Sequence, residues 1–508
     1  MHAALNVRGC LSNQCADAAE PSSSHLFEVA SFKPVAIGKP MSGVGNCRLC
    51  CPGLAMNSGK TGAVSLECDS QPKRFVYAVG ISSSHAGVVG LAAERKRSMP
   101  TYFRMPGHFT ALDGWRGVCA ILVAIYHFHT SSHLGQSGII RNSYLFVDFF
   151  FVLSGFVITY AYIDRLATLR DAGVMLWRRL GRLWPLHVAI LLAFVLLELA
   201  VPALSMVLGV KRSAAAAFDP ASSATLWGIP THLLLIHGLG LHDRLTWNHP
   251  SWSISTELWT YVIFALVMVQ ARGRAVIVAV LLVIASLLIL VSVSTRHIGV
   301  DFDFGILRCV FGFFVGHLVF RLVRAVPVSL PQPTLIEVIG LAAMVLFVVR
   351  AGQTPLEYFA PFVFGVIVWI FALERGAVSC VLKSRALAAL GLVSYSIYMV
   401  HSLVIAVAHR GISVIEQIGG VKISQVVEHA GERTLQISFG SVWTMDALVA
   451  IYMAVVIGLS MLTWRYIEMP AQRWWNGAAA ASVPKTVEPV TVEVASGSGN
   501  PEALGSRG

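Results

Sequence analysis

Between Leu112 and Ile467 one long apolar stretch follows another, separated by short polar breaks. Each is close to the roughly 20 residues that a helix needs to cross the hydrocarbon of a bilayer. Hydrophobic residues fill 56% of the 508 positions and charged residues only 13%, which leaves too little polar surface to cover a soluble core. The pattern predicts an all-α integral membrane protein, a bundle of about ten transmembrane helices. The expected spans are about 112–130, 144–163, 184–208, 252–271, 274–294, 303–323, 334–350, 357–374, 387–409 and 446–467. A further stretch, 226–241, is short and rich in Gly, Pro and His, and reads as a re-entrant or interfacial piece.

The net charge of +11 does not point to nucleic acid, because the basic residues are not gathered with exposed aromatics on a soluble domain. They sit at alternate helix ends. With the first helix entering from the cytoplasm, the connection 164–183 (Arg165, Arg170, Arg178, Arg179, Arg182) is inside. So are Arg272 with Arg274, Arg321 with Arg324, and Arg375 with Lys383 and Arg385. The opposite loops hold Asp301, Asp303, Glu416, Glu428 and Glu432. This positive-inside pattern predicts a multi-pass protein with both termini cytoplasmic, in a bacterial inner membrane.

Residues 1–98 show no sustained period and no basic segment followed by an apolar one, so they read as a poorly ordered extension without a signal peptide. Met99 and Met105 stand just before the first helix and are alternative starts, which would make residues 1–98 a mis-assigned leader. Residues 106–475 are the expected membrane domain, and the Ala-, Ser- and Val-rich tail 476–508 is expected to be disordered. Of nine cysteines, six lie in the first 100 residues. Cys47, Cys50 and Cys51 have CxxC spacing, but no second pair of matching spacing follows, so no metal site is read there. Two large connections, 209–251 and 411–444, fall on the same side; they shape an entrance for a bulky acceptor or are merely loops.

Ionisable groups inside membrane helices are costly to insert and are usually paired or functional. Arg116 and His127 are 11 residues apart, so they share a face and lie roughly 16 Å apart along the helix, whereas His129 points elsewhere. A neutral imidazole accepts a proton from a hydroxyl near pH 7, although a lone membrane His serves equally well in packing. Asp148 either anchors the start of the second span or pairs with a buried cation, and Ser154-Gly155 suits close helix approach. Arg179 and Arg182, at i and i+3, share a face, and guanidinium groups favour phosphate; topology alone explains arginines here about as well. Ser253, Glu257 and Tyr261 form one stripe at i, i+4 and i+8, and Glu257, with no adjacent basic residue, needs a partner across the bundle.

Taken in order, these residues resemble the acyltransferase-3 family of membrane O-acyltransferases. The resemblance is carried by Asp113-Gly-Trp-Arg116-Gly leading to His127, by Val147-Asp-Phe-Phe-Phe-Val-Leu-Ser-Gly155, by Arg179-x-x-Arg182-x-x-Pro185 and by Trp252-Ser-x-Ser-x-Glu257-x-x-x-Tyr261. Gly391-x-x-Ser394-Tyr-Ser-Ile-Tyr398-x-x-His401 and Tyr466-Ile-Glu468-x-Pro470 complete it. The match runs over about 108–475, and its one departure is Trp115, where an aliphatic residue is commoner. The resemblance implies transfer of an acyl group, often acetyl, from acyl-CoA to a hydroxyl of a carbohydrate or lipid-linked glycan. It implies His127 as catalytic base or acyl carrier, Arg116 as its electrostatic support, and Arg179 and Arg182 as ligands of CoA phosphates. Glu257 would orient His127 or the acceptor hydroxyl, and Asp148, Tyr261, Tyr398 and His401 are candidates for the substrate site. No bound cofactor or metal is required, since attack of a hydroxyl on a thioester needs a base and a polarised carbonyl. Two other readings stay open: a proton-coupled transporter, which would also use intramembrane His, Arg and Glu, and a catalytically inactive binding protein on the same scaffold.

Overall fold

The computed structural model describes residues 54–58, 64–68, 108–210, 218–219, 222–326, 330–429 and 432–481. The chain divides into two compact units. In the unit of residues 16–101, strands β1 (Leu54–Ser58) and β2 (Val64–Cys68) pair antiparallel, Leu54 opposite Cys68. The rest of the expected extension, with Cys47, Cys50 and Cys51, lies outside the described residues, as does the tail beyond Ala481.

The second unit is helical, as the apolar periodicity predicts. Its long helices are α1 (Thr110–His127), α2 (Phe146–Tyr162), α3 (Leu169–Leu208), α4 (Trp252–Gln270), α5 (Ala275–Val293), α6 (Gly305–Ala325), α7 (Pro333–Ala351) and α8 (Ala360–Ala372). After these come α9 (Arg385–Leu392), α10 (Ser394–Gly419), the hairpin β3 (Ser424–His429) and β4 (Glu432–Ile437), α11 (Val442–Thr463) and α12 (Met469–Ala481). Among the described residues nine helices are long and apolar enough to cross a membrane. Helix α1 is not one of them. Its 18 residues carry Asp113, Arg116 and His127, yet Ala111, Leu112, Trp115, Cys119, Ala120 and Val123 are almost wholly buried. It is an interior helix, sheltered from lipid by its neighbours, and so tolerates polar groups that a lipid-facing helix would not. Helix α5 is the opposite case: its Ile277, Leu281, Ile284 and Leu288 are exposed.

Three expected boundaries change. The span expected at 184–208 is the far part of α3, one 40-residue helix that begins at Thr168 with a capping box to Asp171 and ends at Gly209, φ 66°. The span expected at 387–409 is two helices, because the chain leaves helical geometry at Val393 (φ −95°, ψ 6°). Helix α12 continues past residue 475 to Ala481, since alanine is the best helix former. The stretch 226–241 holds a six-residue helix, Gly228–Leu233, and no span.

Close packing positions the site. A Cβ on Gly155 of α2 would lie 1.9 Å from the carbonyl oxygen of Phe313 on α6, so these helices touch backbone to backbone. Helices α2 and α6 are also joined by Arg308, which donates to Asp148 at 2.7 and 3.0 Å, with Asp148 fully buried. This is the buried cation that the sequence allowed for Asp148. Beyond α1, Ser131 N donates to Ile437 O and Ile437 N to His129 O, at 3.1 and 3.0 Å. These bonds tie strand β4 to the segment that follows His127.

Candidate functional site

Two cavities meet in the bundle. One has a volume of about 810 Å³ and the other about 100 Å³, and Val147 and Tyr398 line both. The larger is walled by His127, His249, Tyr144 and Arg308, the smaller by Arg116, Arg179, Arg182, Glu257 and Tyr261. The expected face-sharing of Arg116 and His127 therefore resolves into one helix that serves two chambers.

His127 is the last residue of α1. Its Nδ1 lies 2.9 Å from the carbonyl of Val123. A carbonyl only accepts, so Nδ1 carries the hydrogen and Nε2 keeps its lone pair. His401 on α10 is held the same way, Nδ1 to the carbonyl of Ile397 at 3.2 Å, and its ring centroid is 5.0 Å from that of His127. His401 is fully buried and its Nε2 has no partner among the described residues. It backs the His127 ring. His129, expected to point elsewhere, lines the same cavity, because α1 ends at His127 and the chain turns. The Tyr398 hydroxyl is 2.9 Å from the Pro250 carbonyl and 2.8 Å from Ser253 Oγ, which fixes the ring between the chambers.

In the smaller cavity the α3 arginines do share a face, as their spacing requires. The Arg179 guanidinium lies over the Tyr162 ring, 5.4 Å from its centroid, and its Nε has no partner among the described residues. Among the described residues, the Arg116 guanidinium has one carboxylate partner, Asp113, at 3.5 Å. Glu257, expected to orient His127 or the acceptor hydroxyl, lines the smaller cavity, while His127 lines the larger. Glu257 Oε1 accepts from Ser154 Oγ and from Tyr261 OH, each at 2.5 Å, because the α4 stripe faces α2 in the smaller chamber. Asp148 is likewise not open to a substrate: both its oxygens are held by Arg308.

Several residues at the site were not singled out in the sequence. Arg308, inside a predicted span, carried the signal of an intramembrane charge. Glu198 of α3 and Arg410 of α10 form a 2.7 Å ion pair at the rim of the larger cavity. Asn248 Nδ2 donates to Met399 O at 3.3 Å, and Asn248 Oδ1 accepts from Ser402 Oγ, so the loop that carries His249 is fastened to α10. Glu468, by contrast, belongs to the quoted motif Tyr466-Ile-Glu468-x-Pro470; it sits in a π-helical turn, Trp464–Glu468, and accepts from Ser396 Oγ at 2.9 Å, and such turns are frequent at functional sites.

The model of a family described as an acyltransferase domain matches residues 109–465. The chain belongs to the acyltransferase-3 family. With nine helices of spanning length and composition among the described residues, this acyltransferase-3 protein is a multi-pass integral membrane acyltransferase. It is 32% identical over 168 residues to "Protein 2 in picA locus" of Rhizobium radiobacter, a match that covers 32% of this chain and 82% of that relative. No solved structure matches the acyltransferase-3 chain.

Proposed function

We propose that the protein transfers an acyl group, in the first instance acetyl, from acyl-CoA to a hydroxyl of a carbohydrate or glycolipid. The observation that carries this reading is His127: one ring nitrogen is committed to the Val123 carbonyl and the other faces an 810 Å³ cavity. That volume is within the range of sites that hold ligands of drug size, roughly 300–1,000 Å³. Next to it, three arginines with few protein partners suit the phosphates of CoA.

The chemistry balances on these groups. The acceptor hydroxyl oxygen attacks the thioester carbonyl carbon while Nε2 of His127 takes its proton; the carbon–sulfur bond then breaks, and the proton passes to the departing CoA thiolate. Arg179 and Arg182 hold the donor, Arg116 adds positive charge toward its head, and Tyr398 stands between donor and acceptor chambers. Glu257, bonded to Ser154 and Tyr261, shapes the donor chamber. The arginine turn faces the cytoplasm in this reading, where acyl-CoA is made.

Purified protein in liposomes, given labelled acetyl-CoA and candidate glycans, is expected to label the glycan, and His127→Ala is expected to abolish transfer. Equal transfer by the two proteins would remove His127 from the chemistry. Uptake of the glycan without any labelled product would replace acyl transfer with transport.

A further inference from the structure

Away from both arginine and His127 chambers, three histidines from separate parts of the chain stack in the interior. His187 is on α3, His232 in the short helix Gly228–Leu233 and His237 just after it. Their relative exposures are 1%, 0% and 4%. The rings of His232 and His237 are 3.7 Å apart between centroids, and His187 lies 5.5 and 5.4 Å from them. One ring nitrogen from each lies within 4.8 Å of the others.

The hydrogen bonds say which nitrogen is free. His187 Nε2 is 3.0 Å from the carbonyl of His232, so it must carry a hydrogen. His237 Nε2 is 3.0 Å from Ser251 Oγ, whose own proton goes to the carbonyl of Asn248 at 2.6 Å, so again the imidazole donates. His232 Nε2 is 3.0 Å from Thr246 Oγ1, which can accept in the same sense. All three Nδ1 atoms are buried and have no partner among the described residues. Two of them, and the third when Thr246 accepts, are bare lone pairs. Buried acceptors normally find a donor, and a cluster of neutral imidazoles, each with its far nitrogen bonded to an oxygen, is the arrangement that metal-bound histidines adopt.

We infer that His187, His232 and His237 form a structural binding site for a divalent transition metal, zinc in the first instance, ligated through Nδ1. Neutral imidazole suits zinc and its neighbours. Zinc–nitrogen bonds of about 2.0–2.1 Å put tetrahedral ligand atoms about 3.3 Å apart, closer than the 4.8 Å within which one ring nitrogen of each histidine now lies, so the rings draw together on binding. The ring planes are within 5–13° of one another, and a metal lies near the plane of each ring that holds it, so the rings also fan out about their Cβ–Cγ bonds. Water or a hydroxyl completes the fourth position. The metal would clip the 228–251 loop to α3. That loop ends in Asn248 and His249, at the wall of the larger cavity, so the clip sets the shape of that wall without entering the chemistry.

The test uses the full chain, purified in detergent from cells supplied with zinc. Elemental analysis is expected to find about one zinc per chain. After chelation, titration with Co²⁺ is expected to give the visible bands of a four-coordinate nitrogen and oxygen site, without the thiolate charge-transfer band that Cys47, Cys50 or Cys51 would add. His187→Gln and His237→Gln are each expected to lower metal affinity about tenfold or more, while Cys50→Ser leaves it unchanged. The wild-type cobalt spectrum decides independently of whether either variant folds. Monodisperse wild-type protein that takes up no zinc and gives no cobalt bands overturns the proposal, as does a thiolate band, or full metal content in both histidine variants. None of these readouts depends on acyl transfer.

Discussion

The two chambers share a wall but differ in the kind of group they present. The larger offers imidazole, with His127 Nε2 and the backing ring of His401; the smaller offers guanidinium, from Arg116, Arg179 and Arg182. Imidazole exchanges protons near neutral pH and guanidinium does not. In the proposed reaction, proton transfer falls on one side of Tyr398 and binding of a phosphate-bearing donor on the other, and that proposal predicts that kinetic constants separate along the same line.

The largest effect is expected at His127. His127→Ala should lower turnover by about 10²–10⁴-fold with the Michaelis constant for acyl-CoA nearly unchanged; a change confined to that constant would erase the division. Next is the wall itself. Asp148→Ala leaves the Arg308 charge buried without its partner and should cost about 3–5 kcal/mol of stability, read as a lower melting temperature in detergent. Asp148→Ala with Arg308→Met should recover much of it. On the other side, Arg179→Ala and Arg182→Ala should each raise the Michaelis constant for acyl-CoA by about 10–100-fold, the worth of a charge-assisted hydrogen bond, with turnover at saturation retained. If neither moves that constant, the smaller chamber is not the donor site. The smallest effect belongs to Tyr398→Phe. Loss of its neutral hydrogen bonds to the Pro250 carbonyl and Ser253 Oγ, each about 0.5–1.5 kcal/mol, should shift both constants by about tenfold, because this side chain alone among the proposed site residues touches both chambers.

Much of the fold was legible because bilayer thickness imposes a length on apolar runs: of the ten expected spans, the nine after the first match the nine spanning helices among the described residues. The pairing of Arg179 with Arg182 was legible for a similar reason: helical spacing is local. What was hidden depends on neighbours distant in sequence. Asp148 needed a cation, but only the contact of α2 with α6 shows that it is Arg308, 160 residues on. Glu257 needed a partner, and periodicity could not tell that α4 turns it toward Ser154 and not toward His127. The break at Val393 escaped because 387–409 keeps its apolar character across a change of backbone angle. The stacked histidines escaped because the 226–241 stretch by itself reads as a re-entrant or interfacial piece, and the partner of its histidines lies in α3, some 45 residues earlier.

Helix α3 has a further consequence, through its length. Forty residues rise about 60 Å, twice the roughly 30 Å of hydrocarbon, and the mostly apolar part, broken by His187 and Glu198, begins only after Pro185. The arginine turn therefore stands a few residues before the lipid-facing section, at a depth set by how α3 floats. The side chains that float it, Leu192, Leu196 and Leu199, are more than half exposed. A thicker bilayer draws such a section inward and a thinner one lets it tilt, at fractions of a kcal/mol per Å. Lipid chain length thus becomes a dial on the proposed donor site, and the Michaelis constant for acyl-CoA is expected to drift across a series of reconstituting lipids while the step proposed for His127 keeps its rate.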